Sequence, residues 1–225
     1  MGKLVWLAFE GKWEEVKYLI KKGEDVNDKN GYGDTPLTYD VKEGNLEVAK
    51  FLVERGANVN TENKMNETPL HIAVKEDNLN MVKFLLENGA KINVRNIFGS
   101  TPLHIAISRN NLEIVKLLFE NGAEANNGDI KGDTPLHIAT KRNNLDMIKF
   151  LVESGCNINA KNNDSDTPLH NTAKEGNLKI VKFLLSNGAD INAKNKYGYT
   201  PYNLARKHNR SEVRDFLFIL IYTKL

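Results

Sequence analysis

The sequence predicts an all-α solenoid, in which short helix pairs stack one upon another along the chain. Two markers carry this prediction, and both recur with a step of 33 residues. The first is the pair Thr-Pro, whose threonine stands at positions 35, 68, 101, 134, 167 and 200. The second is a glycine at positions 23, 56, 89, 122, 155 and 188. A fixed period of about 20–50 residues is typical of a repeat protein.

One period, residues 65–97, contains the signals for two helices and a turn. Thr68-Pro69 predicts a helix start, because a threonine hydroxyl caps free backbone N–H groups and proline fits the first helical position. Leu79 opens a second helix, and Asn88-Gly89 closes it, since glycine readily takes the left-handed conformation that follows a helix. Neither short helix can bury its apolar side alone. Stacking of neighbouring pairs must therefore supply the core.

The period divides the chain into one predicted domain, residues 1–225, made of successive repeats. Residues 1–31 lack the Thr-Pro opening and are predicted to form an N-terminal capping repeat. Residues 197–225 are predicted to form a C-terminal capping repeat, in which Tyr202-Asn203 replaces the usual Leu-His. The internal repeats follow one another without insertion or deletion: 32–64, 65–97, 98–130, 131–163 and 164–196.

The recurring pattern G-x-T-P-L-H-x-A, N-L-x-x-V-K-F-L-L, N-G-A-x-I-N resembles the ankyrin repeat. Residues 99–106 match its opening and residues 187–192 match its close, and the resemblance covers essentially the whole chain. It implies an ankyrin-repeat α-solenoid of antiparallel helix pairs with projecting β-hairpin loops. It also implies that partners meet the loop tips and the concave face of the first helices. The asparagine that recurs at positions 60, 93, 126, 159 and 192 is predicted to bond turn backbone, and the resemblance makes it a position that can be hydroxylated.

Composition excludes several classes of function. The net charge is +2, from 31 basic and 29 acidic residues, so no overall field favours nucleic acid or a membrane surface. Cys156 is the only cysteine, which excludes an internal disulfide and suits a reducing compartment. The first ten residues do not read as a signal peptide, and no apolar run approaches the roughly 18 residues of a membrane span. We therefore expect an intracellular protein of the cytoplasm or the nucleus.

The in-phase histidines are the first candidates for chemistry, and each stands three residues after its threonine: His71, His104, His137 and His170. At that position a ring nitrogen can bond the threonine hydroxyl or the backbone of a neighbouring loop. Corresponding residues in stacked repeats lie about 8–10 Å apart, whereas zinc–nitrogen bonds are about 2 Å. We expect structural histidines, with no metal, no cofactor and no catalytic residue. No GxxxxGK[ST], HExxH or GxSxG run is present, so nothing indicates an enzyme.

The residues that differ between repeats are the candidates for binding another protein. Apolar side chains flank the tip glycines and are predicted to form an exposed contact stripe, although packing of one loop against the next is an alternative explanation. The predicted partner-binding residues combine these apolar groups with nearby bases: Tyr32, Met65, Ile97, Phe98, Arg109, Ile130, Lys131, Arg142, Tyr197 and Tyr199. We expect Arg109 and Arg142 to lie behind Phe98 and Ile130, where they suit a partner with an apolar anchor and flanking acids.

This interpretation predicts a non-catalytic protein–protein interaction module, and three departures from the period qualify it. Asp40 and Thr172 occupy a position that is alanine in most repeats. A carboxylate at a packed interface is costly, so Asp40 is either locally exposed or a functional departure, and tolerated variation is the preferred explanation. The apolar segment 216–222 is predicted to be a cap that folds back on a monomer; self-association, a partner contact or continuation of a longer protein are alternatives. The exact period also fits a structural or engineered, consensus-like scaffold with no dedicated partner, although scattered residues such as Asp40 argue against strict design.

Overall fold

The computed structural model describes residues 2–222, and this part of the chain contains fourteen α-helices and no strand. The helices come in pairs, as the 33-residue period predicts, and the predicted α-solenoid fold is confirmed. The helices are α1 Lys3–Phe9, α2 Trp13–Lys21, α3 Pro36–Glu43, α4 Leu46–Glu54, α5 Pro69–Lys75, α6 Leu79–Glu87, α7 Pro102–Arg109, α8 Leu112–Glu120, α9 Pro135–Arg142, α10 Leu145–Glu153, α11 Pro168–Glu175, α12 Leu178–Ser186, α13 Pro201–Lys207 and α14 Ser211–Tyr222. Met1 and residues 223–225 of the two predicted caps lie outside the described residues.

The helices divide between two compact units, Met1–Ala123 and Glu124–Leu225. In the first unit, α1 packs on α3, α3 on α5 and α5 on α7, while α4, α6 and α8 form a second row. In the second unit, α9 packs on α11 and α11 on α13, while α14 packs on α13 and α12. The leucine that follows each internal Thr-Pro is almost completely buried. Each unit therefore has a core formed where consecutive pairs meet, as stacking predicts.

The loop tips are tight turns held by one asparagine side chain. In the loop before α5, Oδ1 of Asn63 accepts from the backbone N–H groups of Met65 (2.9 Å) and Glu67 (3.0 Å). The backbone N–H of Asn63 donates to the carbonyl of Glu67 at 3.1 Å. The N–H of Asn66 also donates to the carbonyl of Asn63 at 2.9 Å. The β-hairpin loops implied by the family resemblance are thus tight turns, without strands in the described part of the chain. Neighbouring tips are joined through the main chain, since the N–H of Lys64 donates to the carbonyl of Tyr32 at 2.8 Å.

A second asparagine links each repeat to the next at the end of the second helices. Nδ2 of Asn60 donates to the carbonyl of Gly89 at 3.0 Å, and its Oδ1 accepts from the N–H of Lys91 at 2.7 Å. Asn27 makes the same pair of bonds one period earlier, to Gly56 and Asn58. The predicted role of this recurring asparagine in binding turn backbone is confirmed.

Asp40 is completely buried in α3, so the alternative that it is locally exposed is wrong. The alanines at the same position of α5, α7 and α9 are equally buried, so this face of the first helices is packed in each of these repeats. Neither carboxyl oxygen has a hydrogen-bond partner among the described residues. Burial raises the pKa of Asp40 to about 8, Glu43 adds to this effect, and Lys17 opposes it. Thr172, at the equivalent position of α11, is satisfied because its hydroxyl donates to the carbonyl of Pro168 at 3.0 Å.

The last helix, α14, combines a packed side with an exposed one. Val213 and Leu217 are buried, whereas Phe218, Ile219 and Tyr222 are exposed. The rings of Phe218 and Tyr222 lie 4.8 Å apart, and both approach Tyr202 of α13. The segment thus folds back as a cap with an aromatic outer side, and its self-association stays a prediction. Within residues 2–222, no helix is both long enough and apolar enough to cross a membrane.

Candidate partner-binding surface

The in-phase histidines act as links between repeats. The backbone N–H of Thr68 donates to Nδ1 of His71 at 3.1 Å, so the ring proton must lie on Nε2. Nε2 stands 3.2 Å from the carbonyl oxygen of Ser100 in the next loop and donates to it. His170 repeats this arrangement, with Nε2 3.0 Å from the carbonyl of Tyr199. These contacts confirm the predicted structural use of the histidines.

Burial lowers the pKa of His71, His137 and His170, although the carbonyl partners act against it. A neutral ring with one accepting and one donating nitrogen is what the bonding pattern requires. Among the described residues, no group of three or more His, Cys, Asp or Glu side chains is placed to hold a metal ion. The histidines therefore tie the N-terminal turns of their first helices to the backbone of the next loop.

The tip residues predicted for the first unit are exposed. Tyr32 is 69% exposed and Phe98 is 55% exposed, and Met65 and Ile97 are also among the exposed large apolar side chains. The N–H of Ile97 donates to the carbonyl of Met65 at 3.0 Å, so successive tips are held together by main-chain bonds. Loop-to-loop packing thus does not bury these side chains. An exposed apolar row of this kind offers contact area to another protein.

The tip residues predicted for the second unit lie in two places. Ile130 is 64% exposed and stands beside exposed Lys131 in the loop before α9. Tyr197 and Tyr199 are exposed in the loop before α13. The structure brings these two tyrosines together in the lining of one pocket, whereas Ile130 does not belong to that pocket.

Arg109 and Arg142 are the last residues of α7 and α9, and both side chains are exposed. An eight-residue helix is about 12 Å long, so each arginine lies at the end of its helix away from the loop tip. The placement of Arg109 and Arg142 behind Phe98 and Ile130 stays a prediction.

A different basic position reaches the tips, and the sequence comparison missed its importance. Counted from the threonine of Thr-Pro, position 7 is lysine in all repeats with that pair except one, which has Ser108. Nζ of Lys75 lies 3.5 Å from Glu67, the residue just before Thr68. Lys141 pairs in the same way with Asp133. Comparing position 7 with the residue before each threonine would have found this charge pattern in the sequence.

Electrostatics at the Lys141 pair show how completely such a pair is satisfied. Burial acts to raise the pKa of Asp133, but hydrogen bonds from Asn162 and Lys141 outweigh it and lower that pKa. The bond from Nδ2 of Asn162 to Asp133 measures 2.8 Å. An ammonium group held this way already has a carboxylate partner, so the unpaired lysines of this position are the better candidates for binding a further acid.

These features define a class of protein: a solenoid of short helix pairs with exposed loop tips and a first-helix face that is open to other molecules. The family model described as ankyrin repeats (3 copies) matches the chain at residues 4–96, 93–162 and 154–223. The chain belongs to the ankyrin-repeat family. Ankyrin repeats generally serve as protein–protein interaction modules, and the fold is typically non-catalytic. Among curated proteins, no sequence matches this chain significantly.

Proposed function

We propose that this chain is a non-catalytic module that binds another protein through its loop tips and the concave face of its first helices. The observation that carries the proposal is the exposure of large apolar side chains at successive tips, including Tyr32 and Phe98 in the first unit and Tyr197 in the second. Aromatic side chains of this kind anchor protein interfaces. The lone buried Cys156 supports an intracellular setting.

The test uses the double substitution Phe98→Ala with Arg109→Ala in the full chain. A partner captured by the wild-type chain is purified, and its Kd is measured against both proteins. Loss of an aromatic anchor at the tip and of the base at the far end of α7 is expected to weaken binding about 30-fold or more, because an interface hot spot contributes about 2 kcal/mol or more.

The matched control is Tyr18→Ala with Lys83→Ala, which removes one exposed aromatic ring and one exposed base from helices α2 and α6, away from the tips. This control is expected to keep the wild-type Kd. Urea midpoints of both variants establish that they remain folded. Unchanged binding by the tip variant would contradict the proposal, whatever the control does.

A further inference from the structure

A concave cup lies in the second unit. It is bounded by the first helices α11 and α13 and by the loop tips that precede them. Its cavity volume is about 490 Å³. Lys174 and Lys207 stand on the helical side, Tyr197 and Tyr199 on the tip side, and Leu204 contributes to the lining as well. This size falls within the range of about 300–1,000 Å³ that accommodates small ligands.

Neither lysine of the cup makes an ion pair with the residue before its own threonine, which is Asp166 in the repeat of Lys174 and Tyr199 in the repeat of Lys207. Lys75 and Lys141 occupy the same position 7 and are each paired with the acid before their threonine. In the last repeat that acid is replaced by Tyr199, and Nζ of Lys207 lies 4.8 Å from its ring centroid. Lys174 has no ion pair among the described residues. The ammonium groups of Lys174 and Lys207 are therefore available to an incoming carboxylate.

The acids of the cup are already engaged. Asp164 forms an ion pair with Lys196, and Oδ1 of Asp166 accepts from Nδ2 of Asn195 at 2.8 Å. Arg210 adds a further positive group at this edge, since its Nε donates to the carbonyl of Lys174 at 2.8 Å. From position 164 to position 222, a range that includes both acids of the cup, the sequence carries nine basic and six acidic side chains. The charge of this region favours an acidic ligand.

We infer that this cup receives an acidic segment of the partner protein, with a carboxylate against Lys174 and Lys207 and a neighbouring apolar side chain against Tyr199 and Leu204. This inference rests on the proposed function and gives it a location and a chemistry. Charge-assisted hydrogen bonds from two ammonium groups set the preference for carboxylate. The tyrosine rings and the leucine provide the apolar surface beside it.

The experiment measures fluorescence anisotropy of labelled peptides with the full chain. The acidic probe is Gly-Glu-Asp-Leu-Asp-Glu-Gly, and the matched probe replaces every acid by its amide. The acidic probe is expected to bind at least about tenfold more tightly than the amide probe. The double substitution Lys174→Ala with Lys207→Ala is expected to weaken it about tenfold or more, since hydrogen bonds to charged groups are the stronger kind.

The matched control is Lys75→Ala with Lys141→Ala, which removes two lysines of the same position 7 that already pair with an acid and should change the affinity less than twofold. Equal binding of both peptides, or equal loss in both double variants, would overturn the inference. Tighter binding of an oligouridine RNA than of the acidic peptide, through the same two lysines, would also overturn it in favour of a nucleic-acid surface.

If the acidic peptide does not bind while the tip variant loses the purified partner, the proposed function holds and only the inference about the cup fails. If the peptide binds through Lys174 and Lys207 while the tip variant keeps the partner, the tip surface is the part that fails.

Discussion

Substitution of Asp40 by asparagine should make the stability of the chain less dependent on pH. Asp40 is fully buried, its oxygens have no partner, and the equivalent residues Ala73, Ala106 and Ala139 are equally buried without any charge. Its pKa rises from 3.8, the value expected in the unfolded chain, to about 8 in the folded protein. The folded state therefore holds a proton on Asp40 that the unfolded state has already released at neutral pH.

The size of the effect follows from this difference in pKa. Each pKa unit corresponds to about 1.4 kcal/mol, so full ionisation of Asp40 lowers the free energy of unfolding by about 5–6 kcal/mol. The contribution of the neutral acid is fully present below pH 3.8, falls by about 1.4 kcal/mol per pH unit as the pH rises, and reaches its lowest level above about pH 8. An amide at position 40 cannot ionise and shows no such slope.

The assay is urea denaturation, followed by circular dichroism at several pH values between about 5 and 9, for the wild type, Asp40→Asn and Asp40→Ala. The free energy of unfolding of each variant minus that of the wild type should grow with pH up to about 8 and then level off. Titration of the buried histidines cancels in this difference because all three proteins contain them. A difference that stays constant within about 0.5 kcal/mol across the range would refute the reasoning, since it would mean that water reaches the carboxyl.

Two further predictions concern buried polar groups. His71→Ala should lower the free energy of unfolding in urea by about 2–3 kcal/mol, because it removes bonds to Thr68 and to the carbonyl of Ser100. Asn203→Ala should lower it less, since the bonds of Asn203 among the described residues are to Thr200 of its own repeat. Equal losses in the two variants would contradict the linking role of His71. Burial raises the pKa of Cys156 from 9.0 to about 12, which lowers the thiolate fraction about 1,000-fold. Its reaction with a disulfide reagent at about pH 8 should therefore be at least about 100-fold slower in the native protein than in urea. Similar rates in the two conditions would contradict its burial.

The fold could be predicted from the sequence because successive repeats carry the same signals for helix start and helix end. Thr68-Pro69 marks a helix start, and α5 begins at Pro69. Asn88-Gly89 marks an end, and α6 ends at Glu87 just before it. The structural use of His71 followed from its spacing to Thr68 alone. Each of these signals depends on residues only a few positions apart in the sequence.

The candidate surface was harder to predict because it depends on which side chains meet across a loop. Exposure of Tyr32 and Phe98 could be expected from their places beside tip glycines. The absence of an acid beside Lys207 becomes visible only when position 7 is compared with the residue before each threonine, where Tyr199 replaces the acid of most repeats. The burial of Asp40 depends on how the neighbouring helices pack around α3, and residue spacing does not give that packing. The spacing of residues in the sequence does not by itself show which side chains pair or which element covers them.

The bonds made by Asn27 and Asn60 have a consequence for how such a chain can change its length. Each asparagine meets a glycine carbonyl and one backbone N–H of the following repeat, and neither group depends on the identity of a side chain. Asn60 meets Gly89, and Asn93 meets Gly122 in the same manner. Removal of residues 65–97 as a block would therefore offer Asn60 the carbonyl of Gly122 in place of Gly89, with the same chemistry. The junctions are interchangeable, so whole repeats can be gained or lost by recombination, whereas the loss of a single residue would misalign every bond across that junction.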